Sequence, residues 1–154
     1  MQIIDSFELQ ITNELIELRR MSEWLHNACG SMDLPEPVSM NLDLCANEAV
    51  ANIINYAYQD HDRHEILMRL ELLEDQTLCL TIKDDGMPFN PFENLPPVPF
   101  DKIENAKIGG LGIHLIRSLM DECNYRRSEN KNVVTLSANL NQASTHFLSP
   151  QCSA

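Results

Sequence analysis

The sequence predicts an α/β fold. Segments in which apolar and polar residues alternate, as half-buried strands require, are interleaved with segments in which apolar residues recur at helical spacing. The chain has 154 residues, enough to close one hydrophobic core without disulfides or a structural metal, and no internal repeat divides it. The expected organisation is one domain over 1–140, an irregular segment within it at about 88–108, and a polar, frayed tail at 141–154.

Residues 6–11 (Ser-Phe-Glu-Leu-Gln-Ile) alternate as a strand. Thr12 or Asn13 then offers an N-cap, and Leu15, Ile16, Leu18, Met21, Leu25 and Ala28 mark one helical face up to Gly30, a reasonable stop. Pro35-Glu-Pro37 breaks the chain before a second helix that runs to about Tyr58. Alternating Ile66, Met68, Leu70 and Leu72 and then Leu78, Leu80 and Ile82, separated by Glu74-Asp-Gln76, predict a β-hairpin. The stretch from Pro88 to Lys107 holds four further prolines and no periodicity, the profile of a functional lid or a disordered loop. Ile108-Gly109-Gly110-Leu-Gly112-Ile113 opens a third helix through Leu115, Ile116, Leu119 and Met120. Strands near 124–128 and 133–140 close the chain, with Asn130-Lys131-Asn132 read as their turn.

Composition removes several functions. A formal charge of −12 opposes direct nucleic-acid binding, which needs clustered Lys and Arg, and suits partners with basic surfaces. No apolar run approaches a membrane span, and the first residues lack a basic leader and cleavage site, so a cytoplasmic protein is expected. The five cysteines are odd in number and never paired as C-x-x-C, which reads as reduced, mostly buried thiols. His61-Asp-Arg-His64 is the one suggestive histidine spacing, and no further ligands lie near it in sequence to complete a metal site.

Chemistry enters on the second helix. Helical spacing stacks Glu48 and Asn52 on one face, beside Val50, Ile53, Ile54 and Ala57, so a carboxylate and a carboxamide share a largely apolar helix. Taken alone, Glu48 reads more readily as an acid at the edge of the buried stripe, exposed on one side. Gly109-Gly110-Leu-Gly112 presents unobstructed N–H groups at a helix start, as phosphate binding requires, although glycines ahead of a helix are often a tight turn. Neither the dinucleotide fingerprint after a strand nor G-x-x-x-x-G-K-[ST] occurs.

The ordered trio is specific where its members are not. Glu48-Ala-Val-Ala-Asn52, Asp84-Asp-Gly86-Met-Pro88-Phe89-Asn-Pro91 and Gly109-Gly110-Leu-Gly112-Ile-His-Leu-Ile-Arg-Ser-Leu-Met-Asp121-Glu resemble the N, G1 and G2 boxes of the anti-sigma-factor serine kinases. These are a bacterial branch of the Bergerat-fold ATPases that include gyrase, heat-shock chaperone and histidine-kinase domains. Asn132-Val-Val-Thr135-Leu resembles the family's final strand, and the likeness covers about residues 6–140.

The resemblance implies a two-layer α/β sandwich, its mixed, mostly antiparallel sheet covered by helices on one face, with ATP held under a flexible lid. It assigns Glu48 as catalytic base, Asn52 as the Mg²⁺ ligand, Asp84 and Gly86 to adenine, Thr135 to the base as a nearby hydroxyl, and Gly109, Gly110 and Gly112 to the phosphates. Lys107, like Lys102, is placed to neutralise phosphate charge, and Asp121 is noticed only through the likeness. The implied partners are a STAS-domain anti-anti-sigma factor carrying the acceptor serine, a sigma factor and a second copy in a homodimer. Two alternatives stay open: a nucleotide-binding switch without kinase activity, and the detached ATPase half of a sensor histidine kinase. One departure stands out. Where many relatives have a histidine four residues after the N-box asparagine, this chain has Tyr56, which cannot titrate near neutrality.

Overall fold

The computed structural model describes residues 2–93 and 110–142. Five strands, β1 (Ile3–Thr12), β2 (Glu65–Leu73), β3 (Thr77–Asp84), β4 (Glu122–Ser128) and β5 (Lys131–Asn139), form one sheet in the order β1-β2-β3-β5-β4. Every described pairing is antiparallel. Three helices accompany it: α1 (Glu17–Ser31), α2 (Glu36–Tyr56) and α3 (Gly110–Leu119).

Strand periodicity makes the sheet two-faced. Ile66, Met68, Leu70 and Leu72 on β2, Leu78, Leu80 and Ile82 on β3, and Val134, Leu136 and Ala138 on β5 are buried on one face, packed with the helices. Glu65, Leu67, Arg69, Thr81, Lys83 and Thr135 alternate to the other, more open face. α2 lies between α1 and α3 and contacts both, burying Val38, Leu42, Cys45, Ala46, Ala49, Val50 and Ile53. At about 1.5–3 kcal/mol for each large aliphatic side chain removed from water, this stripe holds α2 firmly enough to carry polar groups in its inner turns. Ser22 Oγ donates to Asp43 Oδ1 at 2.6 Å and Asn47 Nδ2 donates to Ser22 Oγ at 3.0 Å, fastening α1 to α2 beside the apolar contact.

Several element ends depart from the sequence expectation. α1 begins at Glu17 rather than at a Thr12 or Asn13 cap, because the Glu17 carboxylate turns back to accept the Thr12 backbone N–H at 3.0 Å while Arg20 holds it from the other side at 2.9 Å. Those bonds, the Arg20 bond first, hold the Glu17 carboxyl down at about 2. Gly30 is not the helix stop either. It lies inside α1, and the left-handed residue that turns the chain is Asp33, at φ 55°. The turn between β4 and β5 falls on Glu129 and Asn130, both at positive φ (53° and 63°), as a tight two-residue hairpin demands. Lys131 and Asn132 therefore belong to β5, not to the turn. That shift by two residues matters below.

Among the described residues no helix is long and apolar enough to cross a membrane. Cys29 and Cys45 are buried thiols, with burial pushing them up to about 11 and about 12, and Cys79 and Cys123 are half-buried. The expected tail lies outside the described residues except for the turn Leu140–Gln142, which follows β5 directly.

Candidate functional site

α2 supplies two of the expected side chains and two points of contact. Glu48 and Asn52 stand one turn apart, about 6 Å along the axis. Asn52 is only 3% exposed. Glu48 is half-buried and forms no hydrogen bond or ion pair among the described residues. Stacked on one face, the two give the helix a carboxylate acceptor beside a carboxamide that can both donate and accept.

Each flank of this pair is closed by a glycine. In the first turn of α3, a β-carbon on Gly112 would lie 3.0 Å from Glu48 Cδ and 3.1 Å from Glu48 Cβ, and closer still to Oε2. At the other flank, a β-carbon on Gly86 would fall 2.6 Å from Ala57 O and 2.9 Å from Asp84 Oδ1. The Met87 N–H donates to that same Ala57 carbonyl at 2.9 Å. The Asp84–Met87 turn is thus sewn to the C-terminal end of α2, and the glycine-rich helix start is pressed against its middle. From Ala57 to Glu48 is about 13.5 Å along the helix. Asn52 lies between the two contacts.

Asp84, the last residue of β3, is 2% exposed. Its Oδ1 accepts the Gly86 backbone N–H and one N–H of the Asn132 carboxamide, both at 2.9 Å. No described group bonds its Oδ2. Burial pushes the Asp84 carboxyl above its ordinary range, while the Asn132 and Gly86 bonds and the charge of Arg127 oppose the rise. The result is a rigid acceptor aimed from the sheet into the space beside α2, suited to an exocyclic amine.

Asn132 is the residue that sequence reasoning missed. It faces Asp84 directly across the β3–β5 ladder and is 1% exposed. Besides Asp84, its Nδ2 donates to Met87 O at 2.8 Å. Its Oδ1 accepts from Tyr125 Oη (2.6 Å), Arg127 Nη1 (3.1 Å) and the Phe89 N–H (3.2 Å). Arg127 Nη1 also donates to Gly86 O at 2.8 Å. One carboxamide therefore fixes the aspartate, the turn that follows it and the start of the irregular segment. Extending the Val134, Leu136, Ala138 alternation backwards by one step would have placed Asn132 on the buried face.

Thr135 does not join this group. Alternation along β5 carries it to the open face, opposite Thr81, whereas Asp84 and Asn132 lie on the helix-covered face. The β5 side chain beside Asp84 is Asn132. Asp121 is also apart: its carboxylate accepts the Asn139 N–H at 2.6 Å at the far end of β5. Tyr56 is 46% exposed and its ring lies 6.4 Å from that of Phe89. Gly110 opens α3, while Lys102, Lys107 and Gly109 lie outside the described residues. On the α3 side, Arg117 donates to the Phe92 carbonyl and stacks over its ring, tying the helix to the end of the preceding described segment. Concavity alone does not single the site out, since a cavity of 420 Å³ lies on the open sheet face among Glu8, Arg69, Thr81 and Lys83. Asp84 and Asn132 lie on the other face.

Comparison with known proteins bears on the family and the fold. Residues 11–138 match the family profile described as "Histidine kinase-like ATPase domain". The chain is 32% identical over 98 residues to the serine/threonine-protein kinase BtrW of Bordetella bronchiseptica, covering 63% of this chain and 68% of that one. It is 33% identical over 86 residues to the serine-protein kinase RsbW of Oceanobacillus iheyensis (53% and 54% covered). With RsbW of Staphylococcus aureus the identity is 37% over 84 residues (51% and 52% covered). The chain thus spans about half the length of these RsbW relatives. Among solved structures, the histidine kinase domain of the Erythrobacter litoralis EL346 blue-light activated histidine kinase superposes with a TM-score of 0.55 at 18% identity, covering 86% of this chain and 64% of that one. The SiaB-SiaC complex from Pseudomonas aeruginosa gives 0.55 at 14% identity, covering 88% and 89%. At such identities the structural likeness is one of fold.

Proposed function

The chain belongs to the histidine kinase-like ATPase domain family, and on that premise we propose that it is an ATP-dependent serine kinase for a STAS-domain anti-anti-sigma factor. In this reading it also holds a sigma factor, as a homodimer in the cytoplasm, and exchanges partners when it phosphorylates its antagonist. The relatives named as serine-protein kinases support the activity. The acidic surface suits a basic partner.

One observation carries the reading: an acid and a buried amide on α2 lie between two glycines, one so close to Glu48 and the other so close to Ala57 that a β-carbon would collide. The donor set fits a magnesium nucleotide. Asp84 would accept the adenine amine, and Gly86 would let the ring approach the backbone. The first turn of α3, with Gly110 and Gly112, would offer N–H groups to the phosphates. Asn52 would give Mg²⁺ a neutral oxygen ligand. Bound Mg²⁺ would neutralise phosphate charge as the γ-phosphoryl group leaves ADP. Glu48 would take the proton from the partner's serine hydroxyl as its oxygen bonds to the γ-phosphorus and the bond to ADP breaks.

A second reading, a nucleotide-binding switch without transfer, is favoured by Tyr56, which stands where many relatives have a histidine. Incubating the full chain with labelled ATP, Mg²⁺ and the STAS partner separates the two. Phosphoserine that disappears in Glu48→Gln, with nucleotide affinity retained, supports the kinase. Nucleotide binding without phosphoserine leaves the switch, and absence of nucleotide binding removes both.

A further inference from the structure

Beside the Asp84 turn, two carboxylates close on opposite edges of one imidazole. His64 is the last residue before β2, and its backbone is fixed first: its N–H donates to Asn13 Oδ1 at 2.9 Å and its carbonyl accepts the Asn13 N–H at 3.1 Å. The ring lies on the ring of Tyr58, centroids 4.3 Å apart and planes 16° from parallel. Held so, Nε2 is 2.7 Å from Asp60 Oδ1 and Nδ1 is 3.1 Å from Asp85 Oδ1. An ionised carboxylate only accepts, and a neutral imidazole carries one N–H. Both contacts are hydrogen bonds only in the imidazolium.

We propose that His64, in its protonated form, is a positioning residue for the nucleotide site, clamping the Asp84–Gly86 turn to the segment that leaves α2. The proposal rests on the reading of Asp84 as the nucleotide-recognising carboxylate. Asp85 stands between Asp84 and Gly86, so a bond to its side chain fixes the turn that aims Asp84. Asp60 lies three residues beyond Ala57, whose carbonyl receives the Met87 N–H. The imidazolium therefore closes, from the solvent side, the junction that Asn132 closes from the sheet. Loss of its proton leaves one ring nitrogen with a lone pair facing a carboxylate, and that carboxylate moves away.

The charges facing the ring set the direction of the effect. Asp60 approaches from the loop after α2 and Asp85 from the turn after β3, with the Tyr58 phenol stacked beneath. Arg63, Glu65, Lys83 and Lys131 line the adjoining cavity of 340 Å³, and His61 stands next to Asp60 in charge. The Asp60 bond, more than any other cause, holds the His64 imidazole above its ordinary range, Asp85 adds to it, and desolvation opposes. A group raised in this way keeps its contribution whole below the ordinary imidazole range and loses it as pH rises through its own higher pKa. The carboxylates are about half exposed (50% and 49%), so the clamp is modest.

The test is an NMR titration of the His64 ring in the full chain, with the Gly86 amide followed in parallel, and ADP affinity measured across the same range. In wild type the Gly86 amide shift should titrate with the His64 ring. ADP affinity should fall about two- to fivefold between about pH 6 and about pH 9, the scale of one partly exposed ion pair. In His64→Gln both dependences should flatten, with affinity near the wild-type alkaline value. Asp85→Asn, which leaves the ring on Tyr58 and Asp60, should lower the His64 pKa and flatten the same curves even if His64→Gln fails to fold. A Gly86 amide indifferent to the ring, or equal pH profiles in wild type and variants, overturns the clamp. If ADP binds at no pH, the nucleotide reading falls by itself and the Gly86 titration still decides the clamp.

Discussion

Gly112 and Glu48 occupy one small volume where α3 meets α2: a β-carbon at position 112 would stand 3.0 Å from the Glu48 carboxyl carbon. The start of the glycine-rich helix and the proposed base are therefore mutually dependent, and a methyl group at 112 has no room unless the carboxylate moves. Gly112→Ala is expected to cost about 1–3 kcal/mol of stability as an overpacked contact. Displacing the base should lower phosphoserine formation by about tenfold or more. Quenched-flow assays at saturating ATP check this. Transfer at the wild-type rate would refute the contact as a functional one.

Asp84 sets recognition against stability. Its folded pKa is raised by burial, so ionisation costs the fold something at neutral pH that it does not cost near or below the ordinary carboxylate pKa of 3.8. Asp84→Asn keeps an Oδ1 for the Gly86 and Asn132 donors and removes the charge. Its melting temperature should match or exceed that of wild type at neutral pH, and any gain should shrink as pH falls through the wild-type carboxyl's titration. The same variant should bind adenine nucleotides more weakly by about 1–3 kcal/mol, the worth of a lost hydrogen bond at a buried acceptor. Calorimetric melting and titration together read both, and unchanged affinity would remove Asp84 from the adenine site.

Asn132→Ala should be the most damaging single change outside α2. It leaves the Met87 carbonyl, the Phe89 N–H and the Tyr125 hydroxyl without their shared partner, at a cost of roughly 2–4 kcal/mol for a connected buried network. Thr135→Ala, on the open face, should change nucleotide affinity by less than about twofold, within the range of a surface substitution. Chemical denaturation and nucleotide titration of the pair rank the two positions. A larger affinity loss for Thr135→Ala than for Asn132→Ala would reverse the assignment.

Acid should erode the contribution of the β1–α1 corner. Glu17 is held down at about 2 by Arg20 and the Thr12 N–H, so its contribution is complete above the ordinary value of 4.5 and is lost as pH falls from there through about 2. Glu17→Gln should narrow the stability difference between pH values on the two sides of that window, as measured by urea midpoints. An unaltered acid profile in the variant would show that the corner does not draw on this carboxylate.

Much of the architecture is legible in local chemistry. The alternation of Ile66 to Leu72 and of Leu78 to Ile82 predicts the hairpin whose register pairs Leu70 with Leu80, and Pro35-Glu-Pro37 marks the start of α2 because proline cannot continue a preceding helix. Element ends are less legible where a longer-range bond decides them. Thr12 loses its capping role to the Glu17 carboxylate, and Asp33 rather than Gly30 turns the chain.

The sequence by itself determines that Glu48 and Asn52 share a face, because that follows from the 3.6-residue repeat of one helix. It also determines the order of the three motifs along the chain. What brings them together is tertiary: the contacts of Gly86 with Ala57 and of Gly112 with Glu48 depend on how the strands and helices pack, and nothing in the spacing of the motifs encodes those distances. The choice of Asn132 over Thr135 is tertiary in the same sense. It turns on a two-residue hairpin that moves Asn132 from turn to strand, and a strand side chain faces the helices or the open side by the parity of its position.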